Sequence, residues 1–348
     1  MAQATVQYPA DAIELSVPDP LVAADLLRAR RPDLFPVMDD TTAAFIDQFG
    51  ERYKPLLTHT LDALAVATAR MGMRHGSWGK DLHQYHNEGH VLELLIGRLA
   101  RIRLELGWGC LEAEEWLMLA LFSACHDLRQ RETPDPSHEI GTNEQASITE
   151  AFRILDASGF NRAREHDFYA TLGYMIAGST FDARPLPYNT AEVVSAGGCL
   201  APKLVRDLEV GAAEFTSQAA LFRCTKLMLI AADLDTANVA EPFLAFTASS
   251  ARLAGEREMR AGRSLEAIES ALPVFEFLTE GQDRYFFKLH RFVSDLGQTV
   301  FGMGKSINAD KVTRQSQLMR KHFGPKLQTG VTGRMLVDQY LAFAQLTS

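Results

Sequence analysis

The sequence predicts an all-α protein, and two observations support that fold class. From about Thr41 onward, apolar residues recur three and four positions apart, which is the spacing of one face of an α-helix. The alternation of apolar and polar residues that is typical of strands is hard to find anywhere in the chain. Length and composition agree with this prediction, because 348 residues, 47% of them hydrophobic, are enough to bury a large core.

Residues 1–40 differ from the rest of the chain. They hold five of the fourteen prolines and show little sustained periodicity. We predict an N-terminal extension of extended chain or short helices, which either packs on the body or is mobile. Residues 41–348 contain no linker rich in proline, serine or glycine and no internal repeat, so they are predicted to form a single all-α domain.

Two helices are especially clear in the sequence. One begins after Asn87, a typical N-cap, carries an apolar face from Val91 onward, and ends at Gly107. The next covers residues 112–127, begins with acidic residues and becomes apolar nearly all round, which predicts a buried central helix. Further helices are predicted at residues 143–157, 162–177, 219–233, 240–261, 265–277, 282–301 and 332–346.

The charge and the termini limit the partners that we expect. The net charge of −9 gives no basic surface for a duplex, so long nucleic acid is not expected. The N-terminus lacks the pattern of a secretion signal, and no apolar run reaches the roughly 18 residues that span a bilayer. We therefore expect a cytoplasmic protein without a membrane partner, and leave a homodimer open. The four cysteines are scattered, so we predict buried thiols.

Two aspartates close apolar segments and are therefore predicted to be buried. Asp127 ends WLMLALFSACHD, and Asp233 ends LMLIAAD. A buried carboxylate needs a cation, an ion pair or a proton. His126 adjoins the first acid and His90 begins an earlier helix, so imidazole and carboxylate ligands for zinc, iron or manganese are at hand. The alternative is a core histidine beside a salt-bridged aspartate.

The same residues resemble a known family. YHNEGH at residues 85–90, then His126-Asp127, then Ala232-Asp233-Leu234 resemble the H…HD…D signature of the HD superfamily of metal-dependent phosphohydrolases. The YHNxxH form is especially similar to the catalytic domain of cyclic-nucleotide phosphodiesterases. The resemblance covers about residues 80–240, and it implies an HD-type helical bundle in which residues 241–348 are accessory helices.

The resemblance also implies roles for individual residues. His90, His126, Asp127 and Asp233 would bind a divalent metal ion, namely zinc, iron or manganese, and a second ion such as magnesium is left open. His86 would be the general acid that protonates the leaving oxygen, and its position four residues before His90 agrees with a shared site. The substrate would be a small phosphorylated compound, a phosphodiester or nucleotide.

Other candidates are weaker. Asn143 and Glu144 lie in NEQAS, which looks like the NExxS segment of bacterial HD hydrolases; Glu144 could orient the attacking water, hold a second metal, or only favour the helix dipole. Asn143 and the remaining candidates are predicted to contact substrate, although solvated loop charges or helix surfaces explain several of them equally well; the remaining candidates are Tyr85, Arg129, Arg131, Thr180 and Gln282.

The resemblance is incomplete at one position. In phosphodiesterases a histidine follows the HD dipeptide in the pattern HDxxH. In this chain the HD dipeptide is followed by Leu-Arg-Gln-Arg, and the next histidine is His138. Two other functions therefore stay open: a di-iron oxygenase that recruits His138 and His166, and a non-catalytic nucleotide-binding HD module. His166-Asp167 repeats the HD dipeptide in a polar stretch, so we predict that this pair is solvated.

Overall fold

The computed structural model describes residues 8–130, 141–182, 198–211, 215–324, 327 and 330–347. The prediction of an all-α fold is confirmed. In the described residues the strands are one antiparallel pair, Phe181–Asp182 with Gly198–Cys199. The α-helices are Ala12–Ser16, Pro20–Arg30, Leu34–Phe49, Lys54–Arg74, Glu88–Leu92, Ala100–Leu106, Ala113–Cys125, Thr142–Ala157, His166–Ser179, Ala201–Gly211, Gln218–Thr236, Phe243–Arg260, Ala271–Glu276, Gln282–Arg284, Asp295–Phe323 and Gly333–Thr347.

Shorter helical segments join some of these helices. Three are π-helical, and the first of them continues the helix that begins at Glu88 without a break. The π-helical segments are Glu93–Leu99, Phe277–Gly281 and Tyr285–Leu289, and the 3-10 segments are Glu51–Tyr53, Trp108–Cys110, Ala237–Ala240 and Ile268–Ser270.

The helix boundaries near the predicted site follow from local chemistry. The Asn87 side chain accepts a hydrogen bond from the Gly89 backbone N–H at 2.8 Å, which caps the helix that begins at Glu88. Gly107 has φ +76°, a left-handed conformation that favours glycine, and it ends that helical region. Glu112 and Glu115 form a capping box at the start of Ala113–Cys125. The sequence predicted all three boundaries to within two residues.

The described residues divide into two compact units. The first contains residues 8–82, 86–180 and 200–232, apart from residues 131–140 and 212–214, which the structure does not describe. Its core lies around Lys54–Arg74 and Ala113–Cys125, both of which are largely buried. The short helices of the N-terminal extension belong to this unit, and Ala23 and Leu27 of Pro20–Arg30 are buried. The extension is thus helical where the structure describes it.

The second unit contains residues 83–85, 181–199 and 233–347, apart from those that the structure does not describe. Four helices and the π-helical segment Phe277–Gly281 supply most of its core, and the side chains of Leu278, Met319, Leu336 and Tyr340 are almost completely buried there. Those helices are Phe243–Arg260, Ala271–Glu276, Asp295–Phe323 and Gly333–Thr347.

The prediction of one continuous helix over residues 282–301 is wrong. Helical structure ends at Leu289, and a new helix begins at Asp295 and continues to Phe323. The Ser294 side chain caps this second helix by accepting from the Gly297 backbone N–H at 2.9 Å. The backbone before the helix is fixed by hydrogen bonds to Asp233, a residue distant in sequence. Local periodicity could not predict that break.

Two of the four cysteines are buried. Cys125 and Cys224 are buried thiols, as predicted, whereas Cys110 and Cys199 are only partly buried. In the part of the chain that the structure describes, no helix is both long enough and apolar enough to cross a membrane.

Candidate metal centre

Two histidines are brought together inside the first unit. His90 lies in the first turn of the helix that begins at Glu88, and His126 follows directly after Ala113–Cys125. Both side chains are nearly inaccessible, at 2% and 3% exposure. Their ring centroids lie 5.4 Å apart, and a nitrogen of each ring lies within 4.8 Å of the other ring's. Two potential metal-binding nitrogens therefore face each other in a buried position.

Asp127 supplies an oxygen to the same position. Its Oδ2 lies 3.0 Å from His126 Nε2 and 3.6 Å from His90 Nε2. Two ligands of a tetrahedral metal with bonds of about 2.1 Å are themselves about 3.4 Å apart. The three side chains thus fit a divalent cation in both chemistry and spacing, and we refer to them as the histidine-aspartate cluster.

The ionisation of Asp127 reflects these neighbours. Burial acts to raise the pKa of its carboxyl group, but the imidazoles of His126, His86 and His90 and the hydrogen bond with His126 act against burial. The result is a pKa below the ordinary value of 3.8, so the carboxylate is ionised at neutral pH. An ionised carboxylate is the form that binds a metal.

Two further residues orient the cluster, and the sequence analysis did not identify them. Glu93 Oε2 lies 3.7 Å from Nδ1 of His90, on the side of the ring away from Asp127. Gln130 donates from Nε2 to Asp127 Oδ1 at 2.7 Å. Partners of this kind fix the ring and carboxylate orientation in metal sites. Glu93 and Gln130 each lie three residues after the residue that they contact. This spacing is the feature of the sequence that could have indicated the two contacts.

The loop after the HD dipeptide is also fixed. The backbone N–H of Arg129 donates to the Ser147 hydroxyl at 3.1 Å. Ser147 is fully buried and belongs to the NExxS segment that the sequence analysis singled out. This segment therefore supports the loop that carries Asp127, a role that the sequence did not suggest.

His86 lies beside the cluster but not in it. It occupies the bend before the helix that begins at Glu88, and it is partly exposed. Its ring centroid is 6.2 Å from that of His90, with the rings nearly perpendicular. It is also close enough to lower the pKa of Asp127 through its charge. The position agrees with a group near a metal site that is not itself a ligand.

Asp233 belongs to the second unit and is 1% exposed, so its predicted burial is confirmed. Its Oδ1 accepts from the Val293 backbone N–H, and its Oδ2 accepts from the Ser294 backbone N–H and hydroxyl, at 2.6 to 2.8 Å. Burial raises the pKa of this carboxyl group to about 6, although these hydrogen bonds lower it in part. Its role as a metal ligand stays a prediction.

Arg129 does not have the environment that was predicted for it. Its guanidinium is buried, donates to Glu14 at 3.1 Å and lies 3.6 Å from Glu150. Both carboxylates also contact Arg70, so they are shared between guanidiniums, and the predicted contact of Arg129 with substrate phosphate stays a prediction. Arg131 and His138 lie outside the described residues.

The other predicted contact residues are spread over both units. In the first unit, Asn143 and Glu144 lie in the first turn of Thr142–Ala157, and Thr180 is a buried residue that follows His166–Ser179. In the second unit, Tyr85 donates its backbone N–H to Glu256 at 2.8 Å, and Gln282 is buried. Their predicted contacts with substrate stay predictions.

The second HD dipeptide behaves as expected. The side chain of His166 is 55% exposed and that of Asp167 is 29% exposed. The pair lies at a helix start rather than at the end of a buried helix. The prediction that this pair is solvated is confirmed.

Comparison with known proteins finds similarity in solved structures only. No protein-family model matches the chain, and no curated protein matches it. The chain is similar to the phosphodiesterase domain of the Salpingoeca rosetta rhodopsin phosphodiesterase, at 13% identity over 93% of this chain and 95% of that one, with a TM-score of 0.48. It is also similar to the phosphodiesterase domain of a RhoPDE fusion protein from the same choanoflagellate, at 11% identity over 99% and 97%, with a TM-score of 0.44.

Identities and TM-scores this low carry no argument about activity. The functional assignment therefore depends on the residues of the site itself.

Proposed function

We propose that this protein hydrolyses a phosphate ester, a phosphodiester or nucleotide, with the help of a divalent metal ion. The observation that carries the proposal is the histidine-aspartate cluster, in which two imidazole nitrogens and one ionised carboxylate face one buried position. Zinc, iron and manganese accept such a ligand set. The proposal leaves open a second ion such as magnesium.

His90, His126 and Asp127 would hold the ion from the first unit. Asp233 is proposed as the fourth ligand only because of its place in the H…HD…D order of the sequence. A bound cation would supply Lewis-acid activation of water and of the phosphoryl oxygens. Glu93 and Gln130 would keep the His90 ring and the Asp127 carboxylate in their orientations while substrate binds.

His86 would provide the proton for the leaving group. In the hydrolysis, the oxygen of a water molecule forms a bond to phosphorus, and the bond from phosphorus to the ester oxygen breaks. His86 would donate its proton to that departing oxygen, and Glu144 would accept a proton from the water. The partial exposure of His86 allows it to reach a substrate and to be reprotonated from solvent.

The substrate would be small and phosphorylated. The acidic net charge of −9 argues against a long nucleic acid. Tyr85, Arg131, Asn143, Thr180 and Gln282 are proposed to contact it, from their sequence positions.

The test compares three variants with the wild type: Asp127→Ala, His86→Ala and Asp167→Ala. The metal content of purified protein is measured by mass spectrometry, and hydrolysis is measured with an aryl phosphodiester and with a panel of cyclic nucleotides. We expect Asp127→Ala to lose both metal and activity. His86→Ala should keep the metal and lose activity about a hundredfold. Asp167→Ala, in the exposed second HD dipeptide, is the matched control and should keep both.

Two results would contradict the proposal. If Asp127→Ala bound metal at the wild-type stoichiometry, the cluster would not be the metal site. If His86→Ala hydrolysed substrate at the wild-type rate, the proton would come from another group.

A further inference from the structure

The first unit contains an apolar pocket apart from the histidine-aspartate cluster. Its volume is about 270 Å³. Residues from several helices line it, including Leu34–Phe49, Lys54–Arg74, the helical region that begins at Glu88, and Ala113–Cys125. An apolar cavity of about 150 Å³ already holds a molecule such as benzene. This pocket is therefore large enough for a small organic ligand.

The apolar lining of the pocket favours an aliphatic ligand. Leucine is the commonest residue of the lining, as in Leu61, Leu95 and Leu117, and Trp108 and Trp116 also line the pocket. The polar groups of the lining are four threonines and one arginine. A sugar or a base would leave most of its hydrogen-bonding groups unpaired against such walls, which is costly.

Arg103 gives the pocket its single charge. It is the only charged residue among the described residues of the lining. Its guanidinium stacks over the Trp108 ring at 5.1 Å from the centroid, which holds the group in place. Among the residues that the structure describes, Arg103 has no carboxylate within ion-pair distance. A cation without a counter-ion at the edge of an apolar pocket favours an anionic ligand.

The pocket is open to solvent on one side. Val37 and Ile96 belong to its lining and are 43% and 51% exposed. A ligand can therefore enter without unfolding of the unit.

We propose that this pocket binds a free medium-chain fatty carboxylate. The alkyl chain would lie among the leucines, and the carboxylate would pair with Arg103 at the edge. The proposal is independent of the phosphohydrolase proposal, because it concerns different residues and a ligand without phosphorus.

The test measures the binding of decanoate and of decanol to the full chain by isothermal titration calorimetry. We expect the wild type to bind decanoate more tightly than decanol. Arg103→Gln should weaken decanoate binding about fivefold and leave decanol binding unchanged, because only the charged head group uses the guanidinium. Arg101→Gln is the matched control. Arg101 lies on the same helix and pairs with Glu105 at 2.6 Å, so its replacement should change neither affinity.

A second variant tests the pocket itself. Ala65 lines the pocket, and Ala65→Phe should fill part of it and abolish the binding of both ligands. Circular dichroism and thermal unfolding show whether this variant is folded. Two results would overturn the proposal: no binding of decanoate to the wild type, or equal loss of decanoate affinity in Arg101→Gln and Arg103→Gln. Binding to phosphatidylglycerol vesicles without binding of monomeric decanoate would overturn it as well.

Discussion

The two units stabilise their buried polar side chains in different ways. In the first unit, buried charged side chains form ion pairs with one another. The guanidiniums of Arg70 and Arg74 contact the fully buried carboxylate of Glu150 at 3.0 to 3.3 Å. In the second unit, several buried polar side chains bond to backbone carbonyls. Asn308 donates to the carbonyls of Val239 and Glu241, and Gln315 donates to that of Tyr340.

The two predicted aspartate ligands show the same difference. Asp127 lies among imidazoles, and its pKa is below the ordinary value, whereas Asp233 lies among backbone N–H groups and the Ser294 hydroxyl, and its pKa is raised to about 6. Neighbouring charge outweighs burial for Asp127, but neutral donors do not outweigh it for Asp233. Two acids that are predicted to bind the same metal ion therefore have different surroundings and opposite pKa shifts.

The largest expected effect comes from breaking a charge pair in the first unit. Replacing Glu150 by Ala leaves Arg70 and Arg74 with fewer buried partners, so we expect the free energy of unfolding to fall by about 3 kcal/mol. Urea denaturation measures this change. The control is Glu51→Ala, since Glu51 pairs with Lys54 on the surface and its loss should have a much smaller effect. Equal effects of the two substitutions would show that the buried network does not stabilise the unit.

A smaller effect separates the two aspartates. Asp233→Ala removes the acceptor of three hydrogen bonds from partly buried donors, so we expect a loss of about 2 kcal/mol in protein treated with a chelator. The Asp127 side chain is 14% exposed and accepts from Gln130, so water can replace part of what Asp127→Ala removes, and this substitution should cost about 1 kcal/mol or less under the same conditions. A larger loss of stability for Asp127→Ala than for Asp233→Ala would reverse the comparison.

An effect of similar size to that of Asp233→Ala concerns a buried histidine of the second unit. Burial, together with the charge of Lys305, lowers the pKa of His290 to about 3. In the unfolded chain the His290 imidazole has the ordinary pKa of 6.5, so below that pH it binds a proton that the folded protein does not bind until about pH 3. The free energy of unfolding therefore falls as the pH is lowered from 6.5 towards 3. Between pH 7 and pH 5 we expect the free energy of unfolding to fall by about 2 kcal/mol more in the wild type than in His290→Gln. Parallel pH profiles of the two proteins would show that His290 is not the group responsible.

The sequence predicted the parts of the fold that local chemistry determines. The helix that begins after Asn87 and the helix Ala113–Cys125 were predicted within a few residues, because caps and apolar faces are local features. The break between Leu289 and Asp295 was not predicted. It depends on Asp233, which is about 60 residues away and holds the backbone of Val293 and Ser294.

The candidate site was predictable to a similar degree. His90, His126 and Asp127 were identified from burial and order in the sequence, and the structure brings them together in one unit. The environment of Arg129 was not predictable, because its partner Glu14 comes from the N-terminal extension, whose packing has no signal in local periodicity. The apolar pocket was missed for the same reason, since separate helices contribute its walls.

The sequence by itself determined the helical fold class, the burial of Asp233 and the candidate ligands, because periodicity, caps and residue chemistry are properties of short segments. Only the tertiary structure decided which groups surround each charged side chain. Imidazoles lie beside Asp127, backbone N–H groups donate to Asp233, and carboxylates lie beside Arg129. His126 adjoins Asp127, but the other partners come from segments that are distant in sequence, and their electrostatic effects depend on distances of a few ångströms that no local pattern encodes.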